Sequence, residues 1–81
     1  MTNKIKEYQQ LEIAKRIRIL RKVTELSQDE LARKLGISQS TLSKYEKGKV
    51  GLTLEMAIKY SQIFEKRLAY IAFGGEQSEG P

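Results

Sequence analysis

Between Leu26 and Gly48 the chain is punctuated twice in the same way. Ser27 and Glu30 form an S-x-x-E capping box, in which the hydroxyl accepts from the N3 amide and the carboxylate reaches back. Leu26 before the cap and Leu31 at N4 make the matching hydrophobic staple. Gly36 supplies a left-handed stop. Ser38 then caps again, flanked by Ile37 and Leu42 as a second staple, and Gly48 ends that run. The spacing predicts one helix over 28–35 and another from Ser38 to about Lys47. So short a turn forces the two to cross steeply, which is the layout of a helix-turn-helix.

The rest of the chain is also helical in pattern. Its one proline is Pro81, and no strand-like alternation appears. Ile13, Ile17 and Leu20 mark an amphipathic helix from about Tyr8 to Thr24, with Ile19 off the stripe. Thr53 caps a fourth helix over 54–64. A fifth covers 67–73 and stops at Gly74-Gly75. The expected class is all-α, a compact bundle of five short helices. The expected organisation is a basic N-terminal arm or helix extension (1–9), a helix-turn-helix domain (10–73) and a flexible polar tail (74–81).

Composition excludes several functions. With 81 residues, one domain is expected. There is no Cys and no His, so no thiolate nucleophile, no imidazole base and no zinc-finger ligand set. No catalytic residue, metal site or cofactor is assigned, and an enzyme is not expected. No apolar run is long enough for a membrane span and no signal peptide is visible, so the expected location is the cytoplasm. Fifteen basic against ten acidic residues give +5. Residues 1–22 hold seven basic and two acidic residues and so carry that whole excess. Such a balance points to a polyanionic partner.

The second helix of the pair carries the chemistry. On a wheel of about 100° per residue, Leu42, Tyr45 and Glu46 share the inward side. Gln39, Ser40, Ser43, Lys44 and Lys47 share the other, which is polar and cationic with no acid. An α-helix fits a major groove, where Gln can bond adenine, Lys guanine, and Ser either. Gln39, Ser40, Ser43 and Lys44 are therefore the candidate base contacts. Ser27, Gln28, Thr41, Lys47 and Lys49 are the candidate phosphate contacts, Gln28 because it opens a helix N-terminus. Gln28 could also brace Gln39. The plain alternative is a solvated polar face. Glu46, an acid near a helix C-terminus, opposes the dipole and needs a partner. Arg21, at the end of the first helix, is the candidate for that ion pair.

These residues resemble the phage repressor and Cro-type, or Xre-like, helix-turn-helix family. The resemblance runs through Ile17-Arg18-Ile19-Leu20-Arg21, Leu26-Ser27-Gln28-Asp29-Glu30-Leu31-Ala32 and the stretch from Leu35 to Gly48, and more weakly to Ile71. It implies a lambda repressor-like bundle of five helices that reads double-stranded operator DNA, commonly as a homodimer on a pseudo-palindrome. It also implies polar contacts at Gln28, Gln39 and Ser40 and an Arg21–Glu46 pair. Three positions depart from the pattern. Glu25 stands where the family often has Gly, Ala57 where it has a larger apolar residue, and Lys66 where it is usually apolar. A left-handed Glu25 costs roughly 1 kcal/mol.

The expectation is a homodimeric repressor, with Tyr70, Ile71 and Phe73 as candidate dimer contacts. The alternative for those residues is that Leu68 and Ile71 finish the core. At this length a separate ligand-sensing domain is not expected, which leaves a stand-alone regulator or one controlled by a regulatory protein partner. An antitoxin or adaptor that mainly binds protein is the rival reading. Membrane-surface binding would pull Ile13, Ile17 and Leu20 from the core and is not expected.

Overall fold

Three hydroxyls start three of the helices. Ser27, Ser38 and Thr53 accept from the amides of Glu30, Thr41 and Met56 at 3.0, 3.1 and 3.0 Å. Glu30 closes the first box by accepting from the Ser27 amide at 2.9 Å. The computed structural model describes residues 2–74, with side chains from Glu7 onward. Its helices are α1 (Thr2–Val23), α2 (Gln28–Leu35), α3 (Gln39–Glu46), α4 (Leu54–Phe64) and α5 (Leu68–Phe73). No strand occurs among the described residues, and the class is all-α. The expected tail lies, apart from Gly74, outside them.

α1 begins well before Tyr8. Residues 2–8 contain no Gly or Pro to break the helix, so the stretch expected as arm or extension is helical. At about 1.5 Å per residue its 22 residues span about 33 Å. That equals the longest dimension of the domain, 33 Å.

α1 and α3 end by the same device. After α1 the Leu26 amide reaches Arg21 O and the Glu25 amide Lys22 O, which places Glu25 at φ 62°. After α3 the amides of Lys49 and Gly48 reach Lys44 O and Tyr45 O, with Gly48 at φ 71°. Both are Schellman motifs, which use the left-handed region to satisfy orphan carbonyls. Glu25 therefore occupies the strained position that its sequence context predicts. Glu65, at φ 55° after α4, is a second such residue.

α1 packs on α3 and α5, α2 on α3 and α4, and α4 on α5. Ile17, Leu31, Leu35, Leu42, Tyr60 and Ile71 are fully buried between them. Each such aliphatic side chain contributes about 1.5–3 kcal/mol by leaving water. Both staple residues Leu26 and Ile37 pack against this core, and Ile19 stays exposed. Ala57 is buried, and Tyr60 stacks on Phe64 at 5.9 Å. Lys66 needs no burial, because its ammonium lies 5.2 Å from the Tyr70 ring centroid in solvent reach.

One candidate dimer contact is corrected here. Ile71 is 0% exposed, so its side chain is spent on the core and has nothing to offer a partner. Tyr70 is half-buried and packs on the core edge, while Phe73 is 69% exposed. Leu68 does not finish the core and lies at its exposed margin. A one-face pattern over six residues could not separate these cases.

Candidate nucleic-acid interface

The site is built on the turn Gly36-Ile37-Ser38, which joins α2 to α3. Ile37 turns inward and its amide reaches Ala32 O at 3.0 Å, so the turn is anchored at its centre. α3 then buries Leu42 fully and Tyr45 partly. That rotation leaves Gln39, Ser40, Lys44 and Lys47 exposed and Ser43 half-buried beside them. A shallow depression lined by Gln28, Gln39, Ser40 and Ser43 lies where α2 and α3 begin.

The one acid of α3 is removed from this surface. Glu46 is only 4% exposed, and Arg21 meets it as a fork: Nε donates to Oε2 at 2.6 Å and Nη2 to Oε1 at 2.9 Å. Arg21 Nη1 also donates to Leu26 O at 3.1 Å, which ties the fork to the start of α2. The hydrogen bond to Glu46 holds the guanidinium above its already high range, against the opposing effect of burial. Beside the pair, burial pushes the Tyr60 phenol up, and the Glu46 charge adds to it.

The buried carboxylate continues outward as a string. Gln28 Nε2 donates to Glu46 Oε1 at 3.0 Å. Gln39 Nε2 donates to Gln28 Oε1 at 3.3 Å. An ionised carboxylate only accepts, so Gln28 must present its NH2 inward and its oxygen outward. Gln39 then gives one hydrogen to Gln28 and keeps a second hydrogen and its oxygen for something else. That donor–acceptor pair has the chemistry of an adenine edge.

The other candidates fall in two groups. The Ser27 hydroxyl is committed to the α2 cap. Thr41 is half-buried and its Oγ1 accepts from Ser38 Oγ at 2.9 Å, which leaves its own hydrogen to donate. Lys47 and Lys49 are exposed at the turn after α3. The structure brings Gln28, Gln39, Ser40 and Ser43 together, sets Lys44 and Lys47 along the same helix, and holds Ser27 in the cap. Tyr70 and Phe73 belong to a different surface, and Ile71 to the core.

Two supporting residues carry no local sequence signal. Gln10 of α1 donates to Gly48 O at 3.3 Å, across 38 residues of chain, and so holds the turn that carries Lys47 and Lys49. Gly48 lies flush on the same helix: a Cβ there would stand 2.8 Å from Leu11 Cδ2. Arg16 donates from Nε to Ile71 O at 3.1 Å and from Nη2 to Ala72 O at 3.0 Å, capping the last turn of α5.

The geometry is that of two short helices presenting one exposed helix face, and residues 17–71 match the helix-turn-helix family model. The chain belongs to the Xre/Cro-like helix-turn-helix family. Similar chains include a Methanocorpusculum labreanum protein, 47% identical over 51 residues, which takes in 63% of this chain and 16% of that protein. A Pyrococcus abyssi protein is 41% identical over 54 residues, covering 67% and 17%. A Thermococcus kodakarensis protein is 40% identical over 53 residues, covering 65% and 17%. All three carry the name HTH-type transcriptional regulatory protein. The chain spans about a sixth of the length of these relatives. No solved structure gives a significant match. Among the described residues, no helix of this Xre/Cro-like domain is long and apolar enough to cross a membrane.

Proposed function

We propose that this domain reads double-stranded DNA for a sequence-specific transcriptional regulator, with α3 in the major groove. One observation carries the reading. α3 buries its only acid in a fork with Arg21 and uses that acid, through Gln28, to hold the outward Gln39. A merely solvated face has no need of such bracing. Gln39, Ser40, Ser43 and Lys44 contact bases. Ser27, Gln28, Thr41, Lys47 and Lys49 serve the phosphates, with Ser27 acting through the α2 N-terminus it caps and Gln28 through its backbone amide there, its side chain being taken up by Glu46 and Gln39. The names of the similar proteins favour the same role.

The regulator works as a homodimer on a pseudo-palindromic operator, with two reading helices about 34 Å apart on one DNA face. It represses by occluding a promoter. Phe73, exposed at the end of α5, and Tyr70 beside it form part of the dimer contact.

Selection of bound duplexes from a random pool tests the whole reading. The expected result is a palindromic consensus with half-sites one helical turn apart. A single half-site would reject the dimer and keep the reader. Failure to enrich any sequence would reject the reader in favour of a protein-binding adaptor.

A further inference from the structure

We infer that the groove between α1 and the end of α3 seats a backbone phosphate of the bound DNA, held by Lys15, Arg18 and Lys47. The inference rests on the DNA-reading role proposed above and adds α1 to the contact surface.

The groove is bounded by Lys15 and Arg18 on α1 and by Lys47 at the end of α3, with Tyr8 also lining it. Leu11 and Ala14 form an apolar floor. All three cationic residues are exposed, and no ion pair engages any of them among the described residues. Two acids also line the groove, Glu12 and Glu46. Both Glu46 oxygens are occupied by Arg21, so that charge is already answered. Three cations against the remaining Glu12 leave a local charge of about +2, suited to a phosphodiester.

The position follows from the reading helix. Lys47 lies about 12 Å along the axis from Gln39 at 1.5 Å per residue. A major groove is about 12 Å wide. A helix whose Gln39 end faces base edges therefore carries its Lys47 end to the groove wall, where the phosphates run. Lys15 and Arg18 stand across the seat from Lys47. The seat is also rigid: Gln10 holds Gly48 O, and Gly48 rests on Leu11. The basic residues of α1 thus include a positioned pair as well as a diffuse field.

The test is the salt dependence of binding to the selected duplex, using the 81-residue chain and the variants Arg18→Ala, Lys15→Ala and Lys22→Ala. Lys22 is exposed on the same helix but outside the groove. All three remove one charge, so a diffuse field alone would treat them alike. The expected result is that Arg18→Ala and Lys15→Ala each lower the log–log salt slope by about one. They should weaken binding several-fold on every sequence, while Lys22→Ala changes the slope much less. A scan with single methylphosphonate (neutral) linkages then locates the seat. One phosphate should matter to the wild type and cease to matter to Arg18→Ala. Equal effects of Arg18→Ala and Lys22→Ala, or no phosphate with that signature, would overturn the seat alone. If the wild-type chain binds no duplex, the DNA-reading role fails and the seat with it. Arg18→Lys should restore most of the slope, which separates charge at the seat from loss of fold.

Discussion

Gln28 and Glu46 are joined at 3.0 Å, and that one bond orients the amide that meets Gln39. Gln28→Met keeps the length of the side chain and removes both of its hydrogen bonds. On the proposed reading, in which Gln39 contacts a base, we expect discrimination at that base pair to fall by about 1 kcal/mol, within the range of a bidentate base contact. Binding to duplexes that differ only at that pair measures it. In a Gln39→Ala background the same change should cost nothing further there, because coupled residues are not additive.

The Arg21–Glu46 fork makes an asymmetric prediction for stability. Arg21→Met strands a buried carboxylate and should cost about 3 kcal/mol. Arg21→Met combined with Glu46→Leu removes both charges and should regain most of that loss. Urea unfolding of the two singles and the double closes the cycle, and additive losses would refute the coupling.

Two glutamates sit where glycine is at ease. Glu25→Gly and Glu65→Gly should each raise stability by about 0.5–1 kcal/mol, since a left-handed residue with a Cβ is strained. The two effects should add, because the positions end different helices. A shift of the urea midpoint at constant slope is the readout.

Gly48 makes the opposite case. Gly48→Ala combines the φ of 71° with a Cβ 2.8 Å from Leu11 Cδ2, and should cost about 2 kcal/mol. Leu11→Ala in the same chain should relieve the clash but not the backbone strain. Thermal unfolding of the single and double variants separates the two contributions.

The α2 capping box sets a pH dependence. Hydrogen bonds from the Ser27 backbone amide and hydroxyl hold the Glu30 carboxyl below its ordinary value of 4.5. A depressed carboxyl adds stability above the unfolded-state value and loses it as pH falls through the folded one. Melting temperature should therefore decline on acidification below about 4.5, and less steeply in Glu30→Gln. Parallel curves for the two proteins would reject the contribution.

What the sequence could reveal depends on how far each interaction reaches along the chain. Ser27, Ser38 and Thr53 bond to amides three residues away, so their helices were legible to within a residue or two. The face of Gln39, Ser40 and Lys44 was legible because Leu42 and Glu46 mark the opposite side. The start of α1 was not, since no cap precedes Tyr8 and the stripe fades there. Nor was the burial of Ile71, because Leu68, Ile71 and Phe73 are alike apolar and only the position of α1 decides among them. Gln10 and Arg16 find partners 38 and 55 residues away, and nothing near either residue in the sequence marks that pairing.

The tethers of α1 have a further consequence. Gln10 reaches Gly48, Arg16 reaches the end of α5, and Arg21 reaches Glu46, each from the same rod. These bonds close loops of 38, 55 and 25 residues, so none survives in a fragment that lacks α1. The turn after α3 and the buried Glu46 therefore depend on α1 being in place. Warming should abolish DNA affinity in a single cooperative step together with the fold.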